Sequence, residues 1–165
     1  MQARLDLAKT APGVVDAMRG LETYLRSTGL EAGLLDLVRV RVSIINGCAY
    51  CLDMHTKDAR AAGETEQRLY AIPVWRETPF FTERERAALA WAEAVTNVAY
   101  DHVPAAEFEA VRKQFSDKEV ADLTLATVAI NGWNRVAIAF RAVPGTYQVE
   151  KRKAVGSAGP QPGDA

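Results

Sequence analysis

Two cysteines and a histidine carry the densest chemistry in the chain. Cys48-Ala49-Tyr50-Cys51 opens a predicted helix, and His55 follows four residues after the second cysteine. Positions i, i+3 and i+7 share a helix face, so Cys48, Cys51 and His55 point the same way. Cysteines three apart on a helix lie about 5 Å apart at Cα, inside the roughly 4.4–6.8 Å window that a disulfide accepts. The amino end of a helix places free N–H groups and partial positive charge beside the thiols, which favours thiolate. His55 reaches Cys51 more readily than Cys48, because the i,i+4 pair is the nearer neighbour, and Cys51 is therefore the candidate nucleophile.

A thiolate that attacks the distal oxygen of a peroxide becomes a sulfenic acid, and a second nearby thiol condenses with it to a disulfide. Cys48 suits that resolving role. The His55 imidazole titrates near neutral pH, as a group must that takes the thiol proton and returns it to the alcohol leaving group. A carboxylate that fixed its tautomer would improve the relay, and the preceding helix offers Asp36 on a polar–apolar boundary. Glu31, Asp53 and Asp58 are also near in sequence, and spacing does not choose among them.

Cysteine is often simply buried, but a CxxC pair facing a histidine favours a chemical role. Zinc is the serious rival, with Cys48, Cys51, His55 and Asp36 as ligands. Structural zinc motifs usually draw on two separated segments, which argues against it. Haem attachment fails because Leu52 follows the second cysteine. No metal and no cofactor are expected.

The elements that must position these residues read as helices throughout, with apolar residues recurring at three- and four-residue spacing. One helix is expected from Pro12 to Ser27, ended by Gly29. A second runs from Glu31 to Asn46-Gly47, a natural break, and a third from Cys48 to Ala62, stopped by Gly63. A short helix from Thr65 to about Ile72 closes before Pro73. Thr82-Glu83-Arg84-Glu85 and Ser116-Asp117-Lys118-Glu119 are capping boxes, the second opening a long helix to about Arg141; Pro104 opens a further helix to Phe115. The charge run Glu83 to Arg86 is a solvated first turn. The expectation is an all-α, single-domain bundle of about six to seven helices over residues 1–150, with a disordered tail over 151–165 that lacks apolar residues to bury.

Ile45-Asn46-Gly47 recurs as Ile130-Asn131-Gly132, which chance or an old duplication of a helical hairpin would explain. Asn131 and Asn134, inside the apolar last helix, are expected to satisfy buried backbone groups rather than line a pocket. His102 is expected on a surface loop, and Trp75, Trp91 and Trp133 as core or interface anchors.

At 165 residues, with 48% hydrophobic and 25% charged residues, one core suffices without staples. A net charge of -1 gives no footprint for gripping phosphate backbones, so no nucleic-acid partner is expected. Residues 1–9 contain no apolar signal core, and two cysteines are no disulfide framework, so a cytoplasmic, reducing compartment is expected. The apolar stretch 120–140 carries Asp122, Asn131, Asn134 and Arg135 and reads as a buried core helix; no membrane partner is expected.

The segment from Leu35 to His55, LDLVRVRVSIINGCAYCLDMH, resembles the core motif of the alkylhydroperoxidase AhpD and carboxymuconolactone decarboxylase superfamily. The resemblance implies a helical AhpD-like fold and a thiol-dependent peroxidase, an antioxidant oxidoreductase. Its site would have Cys51 as peroxidatic cysteine, Cys48 as resolving cysteine, and His55 with Asp36 as proton relay. It also implies an organic hydroperoxide substrate, a lipoyl- or thioredoxin-like dithiol reductant, and a homo-oligomer, trimer or hexamer. Two positions depart from the pattern: Asp36 stands where the family usually has glutamate, and Ile44 where it often has glutamine. The alternatives are lactone decarboxylation, whose enzymes typically lack the paired cysteines, and a non-catalytic redox sensor.

Overall fold

The computed structural model describes residues 2–149; the expected tail over 151–165 lies outside the described residues. Among the described residues there are nine α-helices, one 3-10 segment and no strand. The helices are α1 (Leu7–Thr10), α2 (Pro12–Leu25), α3 (Ala32–Ile45), α4 (Ala49–Ala61), α5 (Glu66–Ala71), α6 (Glu83–Thr96), α7 (Val98–Asp101), α8 (Ala105–Arg112) and α9 (Asp117–Phe140). The seven expected helices are all present. Beyond them come α1 and α7, each four residues long and too short to show a period, and the 3-10 segment Ile72–Glu77. Pro73 starts that segment rather than closing the chain's helical run, because its missing N–H costs nothing in a first turn.

Both capping boxes form. Thr82 Oγ1 accepts from the Glu85 amide while Glu85 accepts from the Thr82 amide, and Ser116 and Glu119 repeat the exchange at the start of α9. No described helix is long and apolar enough to cross a membrane, and α9 is instead buried along one side through Val120, Leu123, Ala126 and Ile130.

The helix that organises the bundle is α3. It buries Leu34, Leu35, Val38 and Val42 in one core with α6 and α9, and Leu37 and Val40 in a second core with Ala59, Ile72, Trp75 and Leu89. A helix apolar on two sides is a central helix, and its polar residues must then find partners. Two residues apart, Arg39 and Arg41 do so in different directions. Arg41 Nε donates to Glu93 at 2.7 Å, joined there by the Trp75 indole, whereas Arg39 reaches Glu22 at 2.8 Å and Asp36 at 3.2 Å. The bundle thus anchors α3 on several sides, and α4 follows it after a single turn.

Candidate active site

The turn between α3 and α4 places the first cysteine. Gly47 takes φ +67°, a left-handed conformation suited to glycine, and its N–H donates to the Ile44 carbonyl at 3.1 Å. The Cys48 N–H donates to the Ser43 carbonyl at 2.9 Å. These two bonds are the paired C-terminal closure of a Schellman motif, so Asn-Gly shapes a specific turn rather than a loose break. Cys48 closes α3 with its backbone and caps α4 with its side chain, whose Sγ accepts from the Cys51 N–H at 3.3 Å.

Cys51 is one turn on, and its Sγ lies 2.7 Å from that of Cys48. Both cysteines are free and buried. Their chemistry is not symmetric. The Cys51 side chain, then the amides of Cys51 and Tyr50, stabilise the Cys48 thiolate and bring its pKa down to about 7 against the cost of burial. The hydrogen bond to Cys48, then burial and then the charge on Cys48 hold the Cys51 thiol well above its usual value. The helix amino end was expected to acidify both thiols; the amide donors reach Cys48, and the first proton lost belongs to that sulfur.

His55 is 8% exposed, and its buried Nε2 has no hydrogen-bond partner. Burial, then the positive charge of Arg39, pushes its pKa down to about 3, so the ring is neutral at neutral pH. It does not act on the thiols as a cation. Asp36, 3% exposed, accepts from Arg39.

A cavity of about 640 Å³ brings Asp36, Arg39, Cys51 and His55 together, with apolar wall from Leu7, Met54, Trp133 and Phe140. Cys48 lies behind Cys51 and borders a smaller cleft of about 150 Å³ beside Arg141. Among the described residues, no group of three or more His, Cys, Asp or Glu is arranged to hold a metal ion.

Arg39, Glu22 and Trp133 are cavity residues that sequence reasoning did not single out for the site. Trp75 and Trp91 are buried as expected and His102 is exposed, whereas Trp133 is a cavity wall. Asn131 does bond a backbone group, the Thr127 carbonyl, at 2.9 Å. Asn134 instead joins side chains: it accepts from Asn46 at 2.8 Å and donates to Ser43 at 3.2 Å.

The sequence profile of the carboxymuconolactone decarboxylase family matches residues 12–94, the segment that builds this turn and both cysteines. The chain belongs to that family. YdfG of Bacillus subtilis (strain 168), an uncharacterised protein, is 38% identical over 140 residues, covering 85% of this chain and 95% of its own. Among solved structures, ATU0492 of Agrobacterium tumefaciens is 45% identical with a TM-score of 0.84, over 90% of this chain and all of the other. It is described as of unknown function and as a candidate antioxidant-defence protein AhpD. A peroxidase-related protein with an AhpD core from Ralstonia eutropha JMP134 is 26% identical with a TM-score of 0.74, over 85% of this chain and 74% of its own. The all-helical fold is thus that of the AhpD-like branch of the carboxymuconolactone decarboxylase family.

Proposed function

We propose that the protein is a thiol-dependent peroxidase that reduces organic hydroperoxides through a Cys48–Cys51 disulfide. The observation that carries this reading is a close dithiol whose cavity-facing member, Cys51, shares one cavity with an unpartnered imidazole nitrogen. Cys51 is the peroxidatic sulfur because the large cavity reaches it and not Cys48. The Cys48 thiolate takes the Cys51 proton across the 2.7 Å contact. Cys51 Sγ then bonds to the distal peroxide oxygen as the O–O bond breaks. The departing alkoxide takes a proton from solvent through His55, whose neutral ring has Nε2 available for the relay. Cys48 Sγ next attacks the sulfenic acid, its proton leaving with the hydroxide as water. Two thiols and one hydroperoxide become a disulfide, an alcohol and water.

A dithiol of lipoyl or thioredoxin type would restore the pair by exchange. Asp36, held by Arg39, is the acidic member of the relay site in this reading. We extend the reading to a cytoplasmic homo-oligomer, trimer or hexamer.

The test is stopped-flow mixing of the reduced protein with an alkyl hydroperoxide. Two thiols should be consumed per turnover, and Cys51→Ser should abolish the reaction. An unchanged thiol titre, or full activity in Cys51→Ser, would sink the proposal. Release of carbon dioxide from a carboxymuconolactone by a Cys48→Ser, Cys51→Ser double variant would favour decarboxylation instead. Oxidation without multiple turnover in excess dithiothreitol would favour a sensor.

A further inference from the structure

The last turn of α9 is closed by a segment from the other end of the chain. The final four carbonyls of a helix have no donor within it. In α9 those of Ala137 and Ile138 accept from the amides of Ala142 and Arg141, where Arg141 turns into a left-handed conformation. The other two are taken by Arg4, whose backbone N–H donates to the Phe140 carbonyl at 2.9 Å and whose guanidinium donates to the Ala139 carbonyl at 3.1 Å. Residues 2–10 thereby form a strap, tied to the end of α9 by Arg4 and joined to α2 through α1. Along it Leu5 and Leu7 are half-buried and alternate with exposed neighbours, and both line the cavity of about 640 Å³. Cys51 and His55 are buried in that cavity, so the sulfur lies at its inner end and the strap forms its outer wall.

We propose that the strap is the specificity-determining wall of the cavity, with Leu5 and Leu7 packing on the organic group of a bulky, uncharged hydroperoxide whose O–O bond lies at Cys51. Arg4 is the positioning residue that holds this wall in place. The inference rests on the peroxidase reading and adds the substrate class to it. Size is the first argument. Hydrogen peroxide is little larger than water, whose share of liquid volume is about 30 Å³, and it would leave most of a 640 Å³ space to solvent. Pockets of roughly 300–1,000 Å³ take far larger ligands and bury most of their surface. The second argument is polarity. Leu5 and Leu7 share the cavity with Met54, Trp133 and Phe140, an apolar lining that rewards an aryl or branched alkyl group. Charge is the third. The lining carboxylates outnumber the lining arginines, and Arg39 is already held by Glu22 and Asp36, so no surplus cation awaits a carboxylate tail.

The experiment compares kcat/KM for cumene hydroperoxide and for hydrogen peroxide, and separately measures binding of cumyl alcohol, the product of the first, by the change in tryptophan fluorescence. The wild type should prefer cumene hydroperoxide, and should reduce the hydroperoxide of linoleic acid more slowly than that of its methyl ester. A Leu5→Ala, Leu7→Ala double variant should lower the cumene-to-hydrogen-peroxide ratio about tenfold or more, the scale on which apolar pockets discriminate by small changes in hydrocarbon contact, and should raise the Kd of cumyl alcohol. Arg4→Pro removes the N–H and the guanidinium together while keeping both leucines, so it should move the ratio and the Kd in the same directions. It also supplies a second route if the double variant fails to fold. A general loss of stability lowers both rates alike and leaves the ratio in place. Folded variants whose ratio and alcohol affinity match the wild type would overturn the proposal, as would a wild-type preference for hydrogen peroxide or for the free acid. If the wild type reduces no peroxide, the peroxidase reading falls and alcohol binding alone decides the wall: weaker binding in the variants upholds it, and unchanged binding overturns it.

Discussion

The tripeptide Ile-Asn-Gly occurs twice and has two opposite fates. At 45–47 it ends a helix, with Gly47 at φ +67° and the chain turning into α4. At 130–132 it lies in the middle of α9, which runs on for two further turns to Phe140. The difference lies in what each copy meets. Cys48, after the first, adopts an extended conformation and caps the next helix with its sulfur, whereas Trp133 and Asn134, after the second, keep α9 packed against the cavity and the turn. Gly132 lies where α2 crosses, and a Cβ there would come within 2.9 Å of Met18 Cε. The two asparagines then meet, Asn46 Nδ2 donating to Asn131 Oδ1 at 2.9 Å. Local sequence permits both outcomes, and packing selects between them.

The largest way to break this comparison is at the contact itself. Asn46→Leu removes the donor shared by Asn131 and Asn134; Asn131 Oδ1 keeps the Arg135 guanidinium, whereas the fully buried Asn134 Oδ1 is left without its donor. The expected cost is about 2–3 kcal/mol, read from urea unfolding, as for other unsatisfied buried groups. A loss under about 0.5 kcal/mol would mean that the two copies touch without mutual dependence.

Acid should separate the two regions next. The turn leads into His55, whereas the α9 copy carries only neutral carboxamides. Because burial depresses the His55 pKa from 6.5 to about 3, the folded state binds fewer protons than the unfolded state between those values. The stability this confers is present above pH 6.5 and is lost as pH falls toward 3. From pH 7 to 5 the loss is about 2 kcal/mol at 1.36 kcal/mol per pH unit. The carboxylates held low, Glu93 and Glu119 among them, are shifted down from an ordinary value of 4.5, so the stability they confer is lost mainly below pH 5. His55→Gln should flatten the slope. Hydrogen exchange at pH 5 should show α4 opening while the middle of α9 stays protected.

What could be read in the sequence follows the same division between local and tertiary causes. Both capping boxes, the Gly63 stop and the CxxC helix start are written in adjacent residues, and they form where expected, whereas α2 ends at Leu25, short of the Ser27 end and Gly29 stop expected for it. The periodicity of α3 shows an apolar helix, but the assignment of Leu37 and Val40 to a second core depends on partners as distant as Phe81 and Leu89. Asp36 is one of several nearby carboxylates in the sequence; the structure places it in the cavity with His55 and Cys51, where it meets Arg39, its i,i+3 neighbour on the same helix. The asymmetry of the cysteines was hidden. Helical spacing treats Cys48 as a helix residue, whereas its extended N-cap conformation turns its sulfur into an amide acceptor. Asn134 had a visible signal, an uncharged polar residue in an apolar run, without a clue to its partner.

The glycines give the finest test of the comparison. Gly47→Ala forces a side chain into a left-handed conformation and should cost about 1 kcal/mol, with nothing within 4 Å to add a clash. Gly132→Ala should go the other way. An alanine inside a helix gains about 0.5–1 kcal/mol over glycine through lower unfolded-state entropy and better helix propensity. Against that gain stands the Met18 thioether, but the atom in the way is the end of a flexible, partly exposed side chain that can swing to another rotamer. The sum should be a stabilisation of about 0.5 kcal/mol, so the same substitution in the same tripeptide changes sign between the two copies. Thermal unfolding of both variants beside the wild type measures it. If Gly132→Ala destabilises as much as Gly47→Ala, the α2–α9 crossing is too rigid to yield, and the second glycine is there for close approach rather than by tolerance.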